Sequence, residues 1–459
     1  MKRRTSAALL VLAASAWPAA APAQEVSASR VERLERRVAA LDSALAARDA
    51  SGIAELRRRI AILTREIEEL RLGKELTVRA DSSERGLGPA ASKVYRAAEG
   101  VSLGGYGEML YENFARDRED GSSAGLTDRL DFLRAILYAG YKFDERFVFN
   151  SEIEFEHATT DQAGSVSVEF AYLDVLLSSH LGLRAGLVLP PMGFINEQHE
   201  PTTFLGAARP ETERAIIPST WRENGLGLFG ETDRFRFRAY LVNGFDAVGG
   251  GSSKAAGFSA AGLRGGRQNG SKAVAESLAG VGRVDYVDPS GLTVGSSLYA
   301  GDAGQGRTSP TDPSRTVGAR TLIWEGHAEY RAHGLDLRGL LAIADVNDVP
   351  ELNAARGLTG TASIGERMFG WYAQAGYDVL RTMDTQATLT PFVRFEKLNT
   401  QDRVPSGFFA DPSTDREILT VGAAWKPIGN IVFKADYESH HDEADRGVDR
   451  FHLALGYIF

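Results

Sequence analysis

The last ten residues, "RFHLALGYIF" (Arg450–Phe459), alternate without a break. Phe451, Leu453, Leu455, Tyr457 and Phe459 fall on one side of an extended chain, and Arg450, His452, Ala454, Gly456 and Ile458 on the other. Chain ends are usually the least ordered part of a domain, yet this one stops on an aromatic inside a strand pattern. Such an end stays in place only if it is paired. In a sheet that closes on itself, the first strand is there to pair with it.

The same period of two recurs upstream. "RFVFNSEIEFEH" sets Phe147, Phe149, Ile153 and Phe155 against Asn150, Glu152, Glu154 and Glu156. "RFRFRAYLVN" sets Phe235, Phe237, Ala239 and Leu241 against Arg234, Arg236, Arg238 and Tyr240. A soluble sandwich would alternate as well, so the connections have to discriminate. Strands are predicted to start near Val101, Arg129, Phe147, Ser165, Leu181, Arg222, Arg234, Leu278, Leu292, Thr321, Leu335, Met368, Gln386, Glu417, Ile431 and Arg450. Tight turns, as at Asp144-Glu145, Thr232-Asp233, His333-Gly334, "RTMD" from Arg381 and "PIGN" from Pro427, take turns with long loops. Among the long ones are Ala115–Asp128, Pro190–Trp221, Gly244–Ser277 and Ala300–Arg320. Short turns at one end and long loops at the other mark an outer-membrane barrel. The expected fold is therefore all-β: a transmembrane antiparallel barrel of about sixteen strands. Phe459 and Tyr457 would sit at the membrane interface, where aromatics concentrate.

Composition narrows the function classes. The chain has no cysteine, which excludes disulfides, thiolate metal sites and cysteine nucleophiles. A net charge of −9 gives no footprint for nucleic acid. The opening "MKRRTSAALLVLAASAWPAAAPAQ" combines a basic start, a short apolar run and Ala21-Pro22-Ala23, the pattern of a cleavable secretory signal. From Val31 a heptad seam follows: Val31, Leu34, Val38, Leu41 and Leu45, then Ile53, Leu56, Ile60, Leu63, Ile67 and Leu70, with a break expected at Asp49–Gly52. The expected organisation is signal peptide 1–23, coiled coil 24–72, linker 73–100 and barrel 101–459. The competing reading of the heptads is one amphipathic helix packed on its own domain.

The signal peptide, heptad stalk, terminal Phe459 and the block "TFLGAARPETERAIIPSTWRENGLGLFGE" (Thr203–Glu231) resemble trimeric outer-membrane porins of the phosphate-selective O and P type. That resemblance implies a homotrimer in the bacterial outer membrane with its coiled coil in the periplasm. It also implies passive transport of small solutes and a C-terminal aromatic read by the barrel-insertion machinery. The long loop Pro190–Trp221 would fold into the lumen and narrow it. Porins of that type rely on dense Arg and Lys ladders, whereas this chain also places Glu152, Glu154 and Glu156 on an inward face.

Candidate pore-lining residues follow from parity. Arg234, Arg236 and Arg238 share one face, and three cations facing lipid would cost ~2–4 kcal/mol each at mid-bilayer, so they are expected to point inward. In the loop, Arg209, Arg214 and Arg222 would face either a solute or Glu211 and Glu213. Opposite them stand Glu152, Glu154 and Glu156, so an anion preference competes with a transverse field of balanced charge. "GLGLFG" (Gly225–Gly230) spells a dinucleotide motif, but a turn and a strand follow where a helix would be needed. "SHHDEADRGVD" from Ser439 reads as a solvated charge run at an outer loop. No catalytic constellation, cofactor or metal site is implied. The alternative function is an outer-membrane anchor acting through the coiled coil.

Overall fold

The computed structural model describes residues 28–45, 59–64, 79–158 and 164–459. The signal sequence and the break expected at Asp49–Gly52 lie outside the described residues. The chain divides into two compact units, Met1–Thr77 and Val78–Phe459. In the first, Ala28–Leu45 is an α-helix, and residues 59–64 are also helical. Seam residues Leu34 and Val38 are less exposed than their neighbours on that helix.

The second unit is a closed barrel of sixteen antiparallel strands in sequence order. They are β1 (Gly100–Phe114), β2 (Arg129–Lys142), β3 (Phe147–Glu156), β4 (Ser165–Leu176), β5 (Leu181–Val188), β6 (Glu223–Glu231), β7 (Phe235–Asn243) and β8 (Leu278–Val287). Then come β9 (Leu292–Asp302), β10 (Arg320–Ala332), β11 (Leu335–Val346), β12 (Arg367–Tyr377), β13 (Thr388–Arg403), β14 (Asp415–Ile428), β15 (Ile431–Asp442) and β16 (Arg450–Ile458). β16 closes onto β1 in the register Tyr106↔Ile458 through Phe114↔Arg450. Outward positions such as Leu137, Phe155, Leu183, Leu241, Val284, Leu298, Trp324, Val421 and Leu453 are apolar and exposed, as a wall bathed in hydrocarbon requires.

The structure departs from the expected pattern at two points. The turn expected at "RTMD" is longer, because Asp378 accepts bonds from the main chain of Leu380 (3.1 Å) and Leu389 (3.0 Å) and draws residues 378–387 out of the ladder. In β4 the register slips by one residue opposite Glu152 and Ile153, a bulge that puts Glu169 and Phe170 both on the buried side.

The interior is substantially filled. A continuous apolar cluster runs from Leu87 and Ala90 through Tyr106, Tyr138, Phe170 and Tyr172 to Met192, Ile216, Trp221, Phe245, Phe258 and Tyr299. Trp221 stacks on Phe245 at 4.5 Å between ring centroids and lies 5.1 Å from Tyr299, so two long loops and the wall share one aromatic knot. Residues 79–99 also belong inside. Leu87, Ala90, Ala91 and Val94 are buried, and the short helix Lys93–Arg96 touches β1, β2 and β3. The described part of the stretch expected to be a linker is therefore packed into the short-turn end of the lumen.

Candidate functional site: the constriction and the outer vestibule

Residues 189–222 leave β5, cross the lumen and return to β6. Asn196 clasps both ends: its Nδ2 donates to the carbonyls of Pro190 (2.7 Å) and Trp221 (3.0 Å), and its Oδ1 accepts from Trp221 N (2.7 Å). Glu213, fully buried, accepts from Ile195 N (2.8 Å) and the Tyr372 hydroxyl (2.7 Å). The prolines limit the open states of this loop, and these bonds select one of them.

The loop is moored on both sides. Toward β3 and β7, His199 meets Glu152 at 3.1 Å and Glu197 meets Arg238 at 3.1 Å. Toward the far wall, Arg331 (2.9 Å) and Arg338 (3.1 Å) donate to Thr203 O, Lys426 to Thr202 O (2.7 Å) and Lys434 to Gly206 O (2.8 Å). Asp436 accepts from Ala207 N (2.5 Å) and Glu396 from Thr212 N (3.0 Å). Buried main-chain groups need such partners, and wall charges supply them here.

The candidate arginines on β7 do not form a ladder. Arg238 is buried between Glu197 and Asp285, each at 3.1 Å. Arg236 lies 3.8 Å from Glu231, and Arg234, just before the strand, pairs with Asp288 at 2.5 Å. All three share the face opposite Phe235, Phe237 and Ala239, but each has its own carboxylate at short range. Nor do they meet the acidic strand. Glu152 belongs to His199, Glu154 lies 3.7 Å from Arg134, and Glu156 accepts from Ser165 Oγ at 2.9 Å. Within the loop, Arg214 forks onto Glu211 (2.5 and 2.6 Å), which also holds Arg416 (2.8 Å). Arg222 pairs with Glu169, the residue delivered by the β4 bulge.

Three guanidinium groups are held differently. Among the described residues Arg209 donates only to His199 O (3.3 Å). Arg264 and Arg267, on the long loop 244–277, grip the end of the constriction loop through neutral oxygens. Arg264 donates to Ser219 O and Thr220 Oγ1 (3.0 Å), and Arg267 to Ser219 O (3.1 Å), Thr220 O (2.5 Å) and Thr220 Oγ1 (3.1 Å). Among the described residues none of the three makes an ion pair. Burial and then neighbouring arginines bring Arg264 down to about 9; burial brings Arg267 down to about 10. Both remain cationic at neutral pH.

These groups line two neighbouring cavities. A cavity of 620 Å³ on the long-loop side is bordered by Arg214, Lys254, Arg264, Arg267 and Arg416, with Asp411 the carboxylate among its lining. A second, of 270 Å³, shares Arg214 and Arg264 with it and runs beside the constriction loop past Arg209. There Arg134 and Arg450 face Glu108, Glu396 and Glu438. The first cavity, at the long-loop end, is thus lined mainly by cations, and the second carries both signs. Sequence reading missed Arg264 and Arg267 because "GLRGGRQNG" has no period. Their only signal was two cations three residues apart in a glycine-rich loop much longer than a turn requires.

The remaining candidates are at the closing seam. Tyr457 lies over Gly107, and Phe459 over Gly105 on β1. At the outer rim His441 contacts Glu119 at 2.5 Å. Inside the barrel Ser297, Glu325, His327 and Asp285 form one chain of bonds. Ser297 Oγ donates to the Glu325 carboxylate, which also contacts His327 Nδ1, while His327 Nε2 contacts Asp285.

The barrel is similar to OmpF of Salmonella typhi, solved in complex with daunomycin, at a TM-score of 0.50 and 12% identity, covering 78% of this chain and 97% of that one. An anion-selective porin from Comamonas acidovorans matches at a TM-score of 0.49 and 12% identity, over 78% of this chain and 99% of that one. At such identity the likeness is one of fold. No family model matches the chain. In sequence it is 40% identical over 384 residues to an uncharacterized protein of Aquifex aeolicus, covering 82% of this chain and 83% of that one. The chain belongs to the same family as that Aquifex protein.

Proposed function

We propose that the chain is a bacterial outer-membrane channel through which small hydrophilic solutes diffuse passively, with anions favoured at its outer mouth. The observation that carries this reading is the set Arg209, Arg264 and Arg267. These cations line two neighbouring cavities and are held by carbonyl and hydroxyl oxygens, so their charge is not cancelled at contact. In a narrow space walled by protein, such charge acts on a passing ion more strongly than in bulk water. The selectivity first assigned to Arg234, Arg236 and Arg238 moves to this set, because those three have carboxylate partners. Phosphate and small organic anions are the solutes to test. The proposed assembly is a homotrimer set in outer-membrane lipid, with the heptad helix in the periplasm promoting association and Phe459 serving insertion.

The test is the reversal potential of single channels in a salt gradient. Arg264→Gln with Arg267→Gln should shift it toward cations, most at low salt, where screening is weakest. A double variant that conducts with unchanged ion preference would remove anion selectivity from this site. The second reading, an anchor, is favoured by the apolar filling of the lumen. It predicts no conductance in the full chain or in any variant.

A further inference from the structure

We infer that residues 79–99 are a plug seated in the short-turn half of the lumen, latched to the constriction loop by Glu200, and that release of this latch opens the channel. The inference rests on the channel reading above. The Glu200 side chain is buried, and its carboxylate accepts from Ala90 N at 3.0 and 3.1 Å and from Ala91 N at 2.9 Å. The seat is shaped for a thin segment. A Cβ on Gly88 would lie 2.5 Å from the Glu200 carboxyl carbon, and one on Gly86 2.7 Å from Arg238 Nη1. Wall side chains complete the hold: Asn150 Nδ2 donates to Ala91 O (2.9 Å), and the Tyr95 hydroxyl donates to Asp174 (2.7 Å) and accepts from Arg184 (3.0 Å). Val94 fills the hollow over Gly140.

Two features make this a plug and not part of the wall. Residues 79–99 add no strand to the barrel ladder, which is complete without them. Their hold on the constriction loop is made by side chains on main chain at one carboxylate, so losing that carboxylate frees two buried N–H groups at once.

Since the protein has no cysteine, Ala91→Cys in the full chain is a unique reporter of the seat. It should react slowly with a small hydrophilic thiol reagent added to reconstituted protein. Glu200→Ala should speed that reaction at least tenfold and raise the open fraction or unit conductance. Gly88→Ala leaves the carboxylate in place but wedges the segment away from it, and should act in the same direction. Fast labelling of Ala91→Cys without either change would overturn the inference, as would unchanged labelling and conductance in both variants. If no variant conducts but labelling still responds to Glu200→Ala, the latch stands and the channel reading fails. If all conduct alike while labelling responds, the plug does not gate.

Discussion

Phe459 and Gly105 exchange two main-chain hydrogen bonds, Phe459 N to Gly105 O at 2.9 Å and Gly105 N to Phe459 O at 3.0 Å. The terminal ring lies against the outer face of β1, where a Cβ on Gly105 would stand 2.7 Å from it. The chain end is thus the last rung of the closing seam, which explains why an alternating strand runs to the final residue.

Deleting Phe459 removes that rung and an exposed aromatic from the short-turn rim. Membrane insertion should fall well below that of the full chain, measured as the heat-modifiable folded band on gels. Insertion at full efficiency would show that β16 closes without it.

Gly105→Leu tests the same seam from β1. The new side chain meets the Ile136 carbonyl, 2.3 Å from the Cβ position, as well as the Phe459 ring. Overpacking of this kind costs ~1–3 kcal/mol or more. A lowered melting temperature in detergent is expected, and pairing it with Phe459→Ala should restore only the part due to the ring.

The β7 arginines should separate by burial. Arg238→Gln leaves Glu197 and Asp285 as buried carboxylates short of a partner, a loss of roughly 3–5 kcal/mol for broken buried pairs. Arg234→Gln, at an exposed rim pair, should change stability little. Thermal melting of the single variants checks the order; equal effects would contradict the geometry.

The constriction loop's own contribution to stability should fall as pH rises from about 5 to 8. Burial raises Glu200 and Glu213 to about 7, and raises Glu197 as well. Burial alone would lower His199, but Glu152 beside it leaves it raised. Every one of these groups binds its proton more tightly when folded. Their contribution is therefore largest at low pH and is lost as pH climbs through the folded values. Glu213→Gln should flatten the dependence of melting temperature on pH. A slope equal to that of the unmodified chain would remove Glu213 from this account.

Orientation can be read by labelling single cysteines in intact cells. Ser122, Ser252 and Ser314 are exposed on long loops and should react from outside, whereas Asp233 and Gly429 on short turns should not. Labelling of the second pair would invert the barrel.

The barrel was legible because its signals are local. Parity put Phe235 outward and Arg238 inward, and the turn–loop rhythm found strand starts to within a residue or two. Partners were not legible. Arg238 meets Asp285 forty-seven residues away, a separation that depends on strand register and on what fills the lumen. The bulge that turns Glu169 toward Arg222 breaks the very alternation used to assign faces. Residues 79–99 looked like a linker because small residues without a period fit either a tether or a narrow seat. Only the hollow made by Gly104, Gly140 and Glu200 distinguishes the two.

The aromatic knot at Trp221 gives this protein a built-in optical probe. Of its five tryptophans, Trp17 lies in the expected signal peptide, and exposed Trp324 and Trp425 and half-exposed Trp371 lie on the outward face, within reach of quenchers dissolved in lipid, while Trp221 is fully buried among Phe245 and Tyr299. Brominated acyl chains would therefore darken the wall and leave emission from the loop junction. The arrangement of the two inward loops could then be followed in real time by fluorescence, with no label attached.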